Sequence, residues 1–181
     1  MIKTELFLPL ILLSFQGCLG ALDTLYYHEW RHRLPANAHF VGLELRLHGV
    51  RDLIYGILFC ALPRFRFQGL FLWLLVGLLL AEIVITLWDF VIERRIRIPL
   101  GGLPNGELVM HTVMAIVYGA FLATLIPHLA DWAQSPTAFV PHTTEIVPWL
   151  VLAMTAMGFG VTIAGIRDLW YGLKKPLPRS S

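Results

Sequence analysis

Glutamate and histidine recur in this chain at spacings that suit the binding of metal ions. Glu29-Trp30-Arg31-His32-Arg33-Leu34-Pro35 returns 64 residues later as Glu93-Arg94-Arg95-Ile96-Arg97-Ile98-Pro99. A second motif follows each copy. Glu44-Leu45-x-x-His48, with Tyr55-Gly56 beyond it, is matched at an offset of 63 by Glu107-Leu108-x-x-His111, with Tyr118-Gly119 beyond it. Carboxylate oxygens and imidazole nitrogens are the donors that iron, manganese and zinc accept. Four carboxylates and two imidazoles, duplicated in tandem, are enough for two ions.

Glu29, Glu44, His48, Glu93, Glu107 and His111 are therefore the expected metal ligands, with His28 and Asp23 as lower-ranked additions. Asp89, Glu82, Tyr55 and Tyr118 are the expected supporting residues around them. Arg31, Arg33, Arg95 and Arg97 form a basic cluster. Guanidinium groups bind phosphate or carboxylate with two parallel hydrogen bonds, so these arginines are expected to hold a substrate headgroup. A plainer reading pairs Glu29 with Arg33 and Glu93 with Arg97, each one helical turn apart. Glu44 and Glu107 also suit the electropositive start of a helix. Neither alternative accounts for His48 and His111. Tyr55-Gly56 and Tyr118-Gly119 also suit helix packing, because small residues let helices approach closely.

The elements that must position these residues are long apolar helices. Stretches at 6–27, 41–62, 70–92, 108–130 and 146–173 are each long enough to cross a bilayer, which takes about 20 residues. Pro35 and Pro99 end the first and third helices, since proline lacks a donor and clashes with the preceding turn. At 1.5 Å per residue the four repeated glutamates reach similar depths, on the order of 10 Å from those turns. His48 and His111 lie one turn deeper on the same faces. The expected fold is all-α: a single polytopic membrane domain over 1–181, with repeat 1 at 5–62 and repeat 2 at 69–130. Two tandem hairpins form a pseudo-twofold bundle of four helices, and a fifth peripheral helix occupies 146–173.

The ligand order, one Glu, then Glu with His, then the same again, resembles that of the carboxylate-bridged di-iron proteins of the ferritin-like four-helix class. The resemblance covers residues 29–119 and implies two bound irons. It makes Glu29 and Glu93 the lone glutamates, and Glu44/His48 and Glu107/His111 the paired ligands. The pairs here are spaced i, i+4, whereas that class uses i, i+3.

Composition agrees with membrane residence. Of 181 residues 57% are hydrophobic and only 14% charged, which is too apolar for an ordinary soluble domain. Lys and Arg concentrate at the turns after the first and third spans and in the C-terminal tail. The positive-inside rule places that side in the cytoplasm and the N-terminus outside, in a bacterial inner membrane. The first span is expected to be retained rather than cleaved, because its counterpart is the third span. Cys18 and Cys60 lie in apolar runs without a CxxC spacing and read as packing residues.

The expected function is an oxygen-dependent hydroxylation or desaturation of a lipid-like or amphipathic substrate at a dinuclear centre. Iron is the expected metal, with manganese or zinc as alternatives. No flavin, nicotinamide or iron–sulfur motif is present, so electrons must come from an external donor. Nucleic acid is not an expected partner. Two other readings stand beside this one. The first is a haem-b or quinone-linked electron carrier with His48 and His111 as axial ligands. The second is a proton or metal-ion conduit using the intramembrane carboxylates.

Overall fold

The computed structural model describes residues 6–142 and 146–174. Lys175 and Arg179, part of the basic C-terminal tail, lie outside the described residues. Five long helices run α1 (Phe7–Asp23), α2 (Ala38–Ala61), α3 (Phe71–Ile96), α4 (Asn105–Ala133) and α5 (Pro148–Leu173). Among the described residues the regular structure is helical except for one ribbon. In that ribbon β1 (Phe65–Gln68) pairs antiparallel with β2 (Ala138–Pro141), Phe65 opposite Pro141 and Gln68 opposite Ala138. The ribbon was not foreseen. It ties the α2–α3 turn to the α4–α5 connection, and Phe139 stacks on Phe71 at 4.1 Å to hold it down.

Four of the helices are long and apolar enough to cross a membrane: Phe7–Arg31, Phe71–Ile96, Asn105–Ala133 and Pro148–Leu173. α2 has the length, but Glu44, Arg46, Arg51 and Asp52 lower its hydropathy. The outer faces carry exposed Leu, Ile, Val and Phe. Trp73 and Trp149 stand exposed near one end of the bundle, Trp30 and Trp170 near the other. Tryptophan collects at membrane–water boundaries because its ring is apolar and its N–H is wet.

Short 3-10 turns carry Pro35 and Pro99 at the foot of the bundle, at Leu34–Asn37 and Ile98–Leu100. Gly101 and Gly102 adopt φ of 92° and 82°, values that favour glycine and let the chain reverse into α4. α1 packs mainly on α4, and α2 on α5 and α3. The helix expected at the periphery, α5, therefore lies along the whole of α2. Gly42, Gly49 and Gly56 oppose Gly172, Gly165 and Gly158, and a Cβ on Gly49 would come within 2.7 Å of the Gly165 carbonyl. Two stripes of glycine spaced seven apart bring these antiparallel backbones into contact. Gly119, expected to serve packing as Gly56 does, instead faces open space.

Cys60 packs against Gly158, whereas Cys18 is exposed on α1. The apolar core fills the upper bundle, with Leu10, Leu13, Leu75, Phe121 and Met154 fully buried. A smaller apolar layer of Leu34, Val41 and Leu45 closes the foot. Between the two lies a layer of buried charge.

Candidate metal centre

The end of α1 decides which residues enter that layer. From Thr24 to Arg31 the chain continues as a π-helix, and the His32 N–H bonds the Tyr27 carbonyl five residues back at 2.9 Å. A wider turn makes residues five apart neighbours rather than residues four apart. Asp23 and His28 consequently point the same way, with His28 Nε2 at 3.3 Å from Asp23 Oδ2. Glu29 is rotated out of the interior. α3 has no such widening, so Asp89 and Glu93, four apart, both point inward and are buried.

Two groups of potential ligands result. Asp23, His28, Glu107 and His111 each present an atom within 4.8 Å of all the others, and so do His28, Glu44 and His48. His28 belongs to both. In the first group His28 Nε2 lies 3.4 Å from Glu107 Oε1, and His111 Nε2 lies 3.4 Å from Asp23 Oδ2. The His28 ring stacks on that of His48 with centroids 4.6 Å apart. Around these, His48 Nε2 meets Asp89 Oδ2 at 2.7 Å, and His111 Nδ1 lies 3.4 Å from Glu93 Oε1. Arg51 stands behind Asp89 at 3.7 Å.

Of the expected ligands, Glu44, His48, Glu107 and His111 come together here. Glu93 lies beside His111 but outside both groups. Glu29 is elsewhere: half-exposed, it accepts a hydrogen bond from Arg167, which also bonds Asp168 Oδ1 at 3.0 Å. Asp23 and His28, ranked lower in the sequence, sit at the centre. Their five-residue separation was the available signal, legible only once a π-turn is allowed.

Arg97 is the second difference. Expected among the headgroup arginines, it is fully buried. Its Nε donates to Glu44 Oε1 at 2.8 Å, its Nη1 to Glu107 Oε1 at 2.5 Å, and its Nη2 also to Glu44. Burial disfavours the charge on Arg97, but Glu44 and Glu107 outweigh that and raise its pKa. Arg31, Arg33 and Arg95 remain exposed at the foot. His32, 3.6 Å from Glu107 Oε2, is held below its ordinary pKa by burial and by the positive charge of Arg97.

The layer is dense in ionisable groups. Asp23, Glu44, Asp89, Glu93 and Glu107 supply five buried carboxylates against the guanidinium groups of Arg51 and Arg97. Buried polar atoms are nearly always paired. Here Asp23 Oδ1, Glu44 Oε2, Glu107 Oε2 and His28 Nε2, with one ring nitrogen each of His48 and His111, lack a hydrogen-bond partner. Ligands on opposite sides of one ion lie about 4.2 Å apart, twice a bond of about 2.1 Å. The donor types, their separations and their unpaired atoms are those of a site that could hold a divalent cation.

Two cavities flank this layer on its apolar side. The larger, of about 420 Å³, lies among α1, α2 and α5, with Arg51 and Asp52 in its wall beside Cys18, Phe59 and Met157. The smaller, of about 250 Å³, holds Gln16, Tyr55, Glu82 and Tyr118 and reaches His111. No protein-family model, curated protein or solved structure matches the chain.

Proposed function

We propose that this chain is an integral-membrane oxidoreductase built around two transition-metal ions, with iron the leading candidate and manganese or zinc behind it. The observation that carries the reading is a cluster of six buried donors, Asp23, His28, Glu44, His48, Glu107 and His111, in two groups that meet at His28. Carboxylate-rich sites with imidazole suit iron and manganese better than copper. Unlike the ligand set expected from the repeat alone, this one uses Asp23 and His28 in place of Glu29 and Glu93.

Bound iron would supply dioxygen activation and oxidation of an unreactive C–H bond. The chain's own residues would do the rest. Asp89 holds His48 through Nε2 and fixes its ring, as carboxylates beside metal-binding histidines do. Leu34, Val41 and Leu45 keep water out from the foot. The larger cavity takes the apolar part of a lipid-like or amphipathic substrate, and Arg31, Arg33 and Arg95 take an acidic head at the interface. Electrons come from an external donor.

In this reading α2 is the fifth span, the N-terminus is outside and the C-terminus cytoplasmic, in a bacterial inner membrane. A pseudo-twofold relation along the membrane normal is supported by matched pairs. His48 of α2 meets Asp89 of α3, and His111 of α4 meets Asp23 of α1. The haem alternative gains nothing here, since Asp89 holds His48 Nε2 and His28 covers its ring.

Elemental analysis of detergent-purified protein tests the proposal. About two metal ions per chain are expected, falling when His28 and His111 are replaced together. Metal-free protein would sink it. One observation favours a second reading, a proton relay through the other intramembrane carboxylates: Arg97 already balances the charge of Glu44 and Glu107 without a metal. Proton uptake by metal-free proteoliposomes would decide for that relay.

A further inference from the structure

The metal centre leaves the smaller cavity unexplained. It lies deeper in the bundle, and Glu82 is eleven residues from Glu93, about 16 Å along α3. All four helices α1 to α4 send polar groups into it: Gln16, Arg51, Tyr55, Glu82, Thr86 and Tyr118, with His111 of the metal centre at its near end. An ionisable group at such depth is costly and has a functional reason by default. Tyr55 donates to Glu82 Oε1 at 3.0 Å, Thr86 donates to the same oxygen at 2.9 Å, and Gln16 Nε2 reaches the Tyr55 hydroxyl at 3.4 Å. Gln16 is 4% exposed, yet its Oε1 has no hydrogen-bond partner. The cavity thus offers a buried acceptor and a carboxylate to something that donates.

We propose that this cavity is a binding site for the ring of a lipid-soluble quinol. An anionic headgroup is disfavoured by the Glu82 carboxylate, and Arg51 is already beside Asp89. A plain hydrocarbon chain would leave Gln16 Oε1 and Glu82 facing apolar atoms, which costs free energy. A neutral ligand with hydroxyl donors meets both demands. Tyr55, Tyr118 and Phe90 stand in walls that are otherwise aliphatic, and aromatic faces pack well on a flat ring. A volume of about 250 Å³ suits one substituted ring rather than a folded chain.

An opening for the tail is present. Leu87 of α3 and Ala115 and Gly119 of α4 border the cavity and are exposed on the outer surface of the bundle. A Cβ on Gly119 would meet nothing within 4 Å, so the gap between α3 and α4 there is open. A prenyl tail would leave through it into lipid. The site needs no metal and therefore stands or falls separately from the oxidoreductase reading.

The test uses the full chain in detergent micelles, stripped of metal by chelator, titrated with a short-tailed benzoquinol and with its dimethyl ether. Saturable quinol binding is expected, with the ether at least tenfold weaker because it cannot donate. Glu82→Gln and Tyr55→Phe should each weaken the quinol several-fold. Gly119→Leu, which plugs the opening without touching a polar group, should weaken it at least tenfold. Circular dichroism confirms that each variant is folded. Equal binding of quinol and ether by the unmodified chain, unsaturable uptake, or unchanged binding in folded Gly119→Leu would each overturn the proposal.

Discussion

The imidazole of His28 lies flat against that of His48, centroids 4.6 Å apart and planes within 5° of parallel. This contact joins the π-helical end of α1 to α2, two segments that otherwise hardly touch. Metal binding uses the neutral form of both rings.

Replacing His28 tests the shared-ligand arrangement directly. His28→Ala removes the donor common to the two ligand groups and the ring packed on His48, so both groups loosen and bound metal should fall by more than half, to below one ion per chain. His111→Ala touches one group only and should retain the other ion. Metal content by mass spectrometry checks both, and equal losses from the two variants would refute the sharing.

Glu29 is the control for that experiment. Its ion pair with Arg167 is partly exposed, the two side chains 30% and 38% accessible, and such pairs contribute about 0–1 kcal/mol. Glu29→Gln should leave metal content unchanged and stability nearly so. Loss of metal from this variant would restore the ligand set expected from the repeat alone.

The long apolar helices, their proline-marked ends and the inward faces of Glu44, His48, Glu107 and His111 were legible because period and spacing encode them. The exchange of Glu29 for His28 was not. A π-turn inserts one residue into the helical phase, and nothing in the types of Thr24 to Arg31 announces it. Arg97 was missed for a related reason. One-turn spacing pairs it with Glu93, whereas its side chain reaches across to Glu44 and Glu107 on other helices. The ribbon went unseen because four-residue strands leave almost no periodic signal. Glycines seven apart on α2 and α5 were readable as a stripe, but only the fold showed them facing each other.

Arg97→Gln strips the charge that bridges Glu44 and Glu107. Removing one partner of a buried ionic cluster costs about 3–5 kcal/mol, so the metal-free variant should melt well below the unmodified chain. Divalent cations can replace the lost positive charge. Added Mn(II) should therefore raise the melting temperature of the variant more than that of the unmodified protein. Thermal unfolding with and without the ion measures this, and an identical response in both proteins would argue against ions entering beside Glu44 and Glu107.

The glycine stripes make the last prediction, which concerns the frame holding α2 in place. A Cβ at Gly49 would stand 2.7 Å from the Gly165 carbonyl and 2.9 Å from the Leu169 nitrogen. Both are backbone atoms of a packed helix and cannot turn aside as a side-chain tip can. Gly49→Ala must therefore push α5 away from α2, at a cost of about 1–3 kcal/mol from overpacking. That exceeds the gain of up to about 1 kcal/mol that alanine brings to a helix interior. Gly119→Ala supplies the contrast, because the new methyl meets nothing and only the helix gain remains. The expected result is a lowered melting temperature for Gly49→Ala and an equal or higher one for Gly119→Ala. Matching shifts in the two variants would show that α2 and α5 are not held at backbone contact.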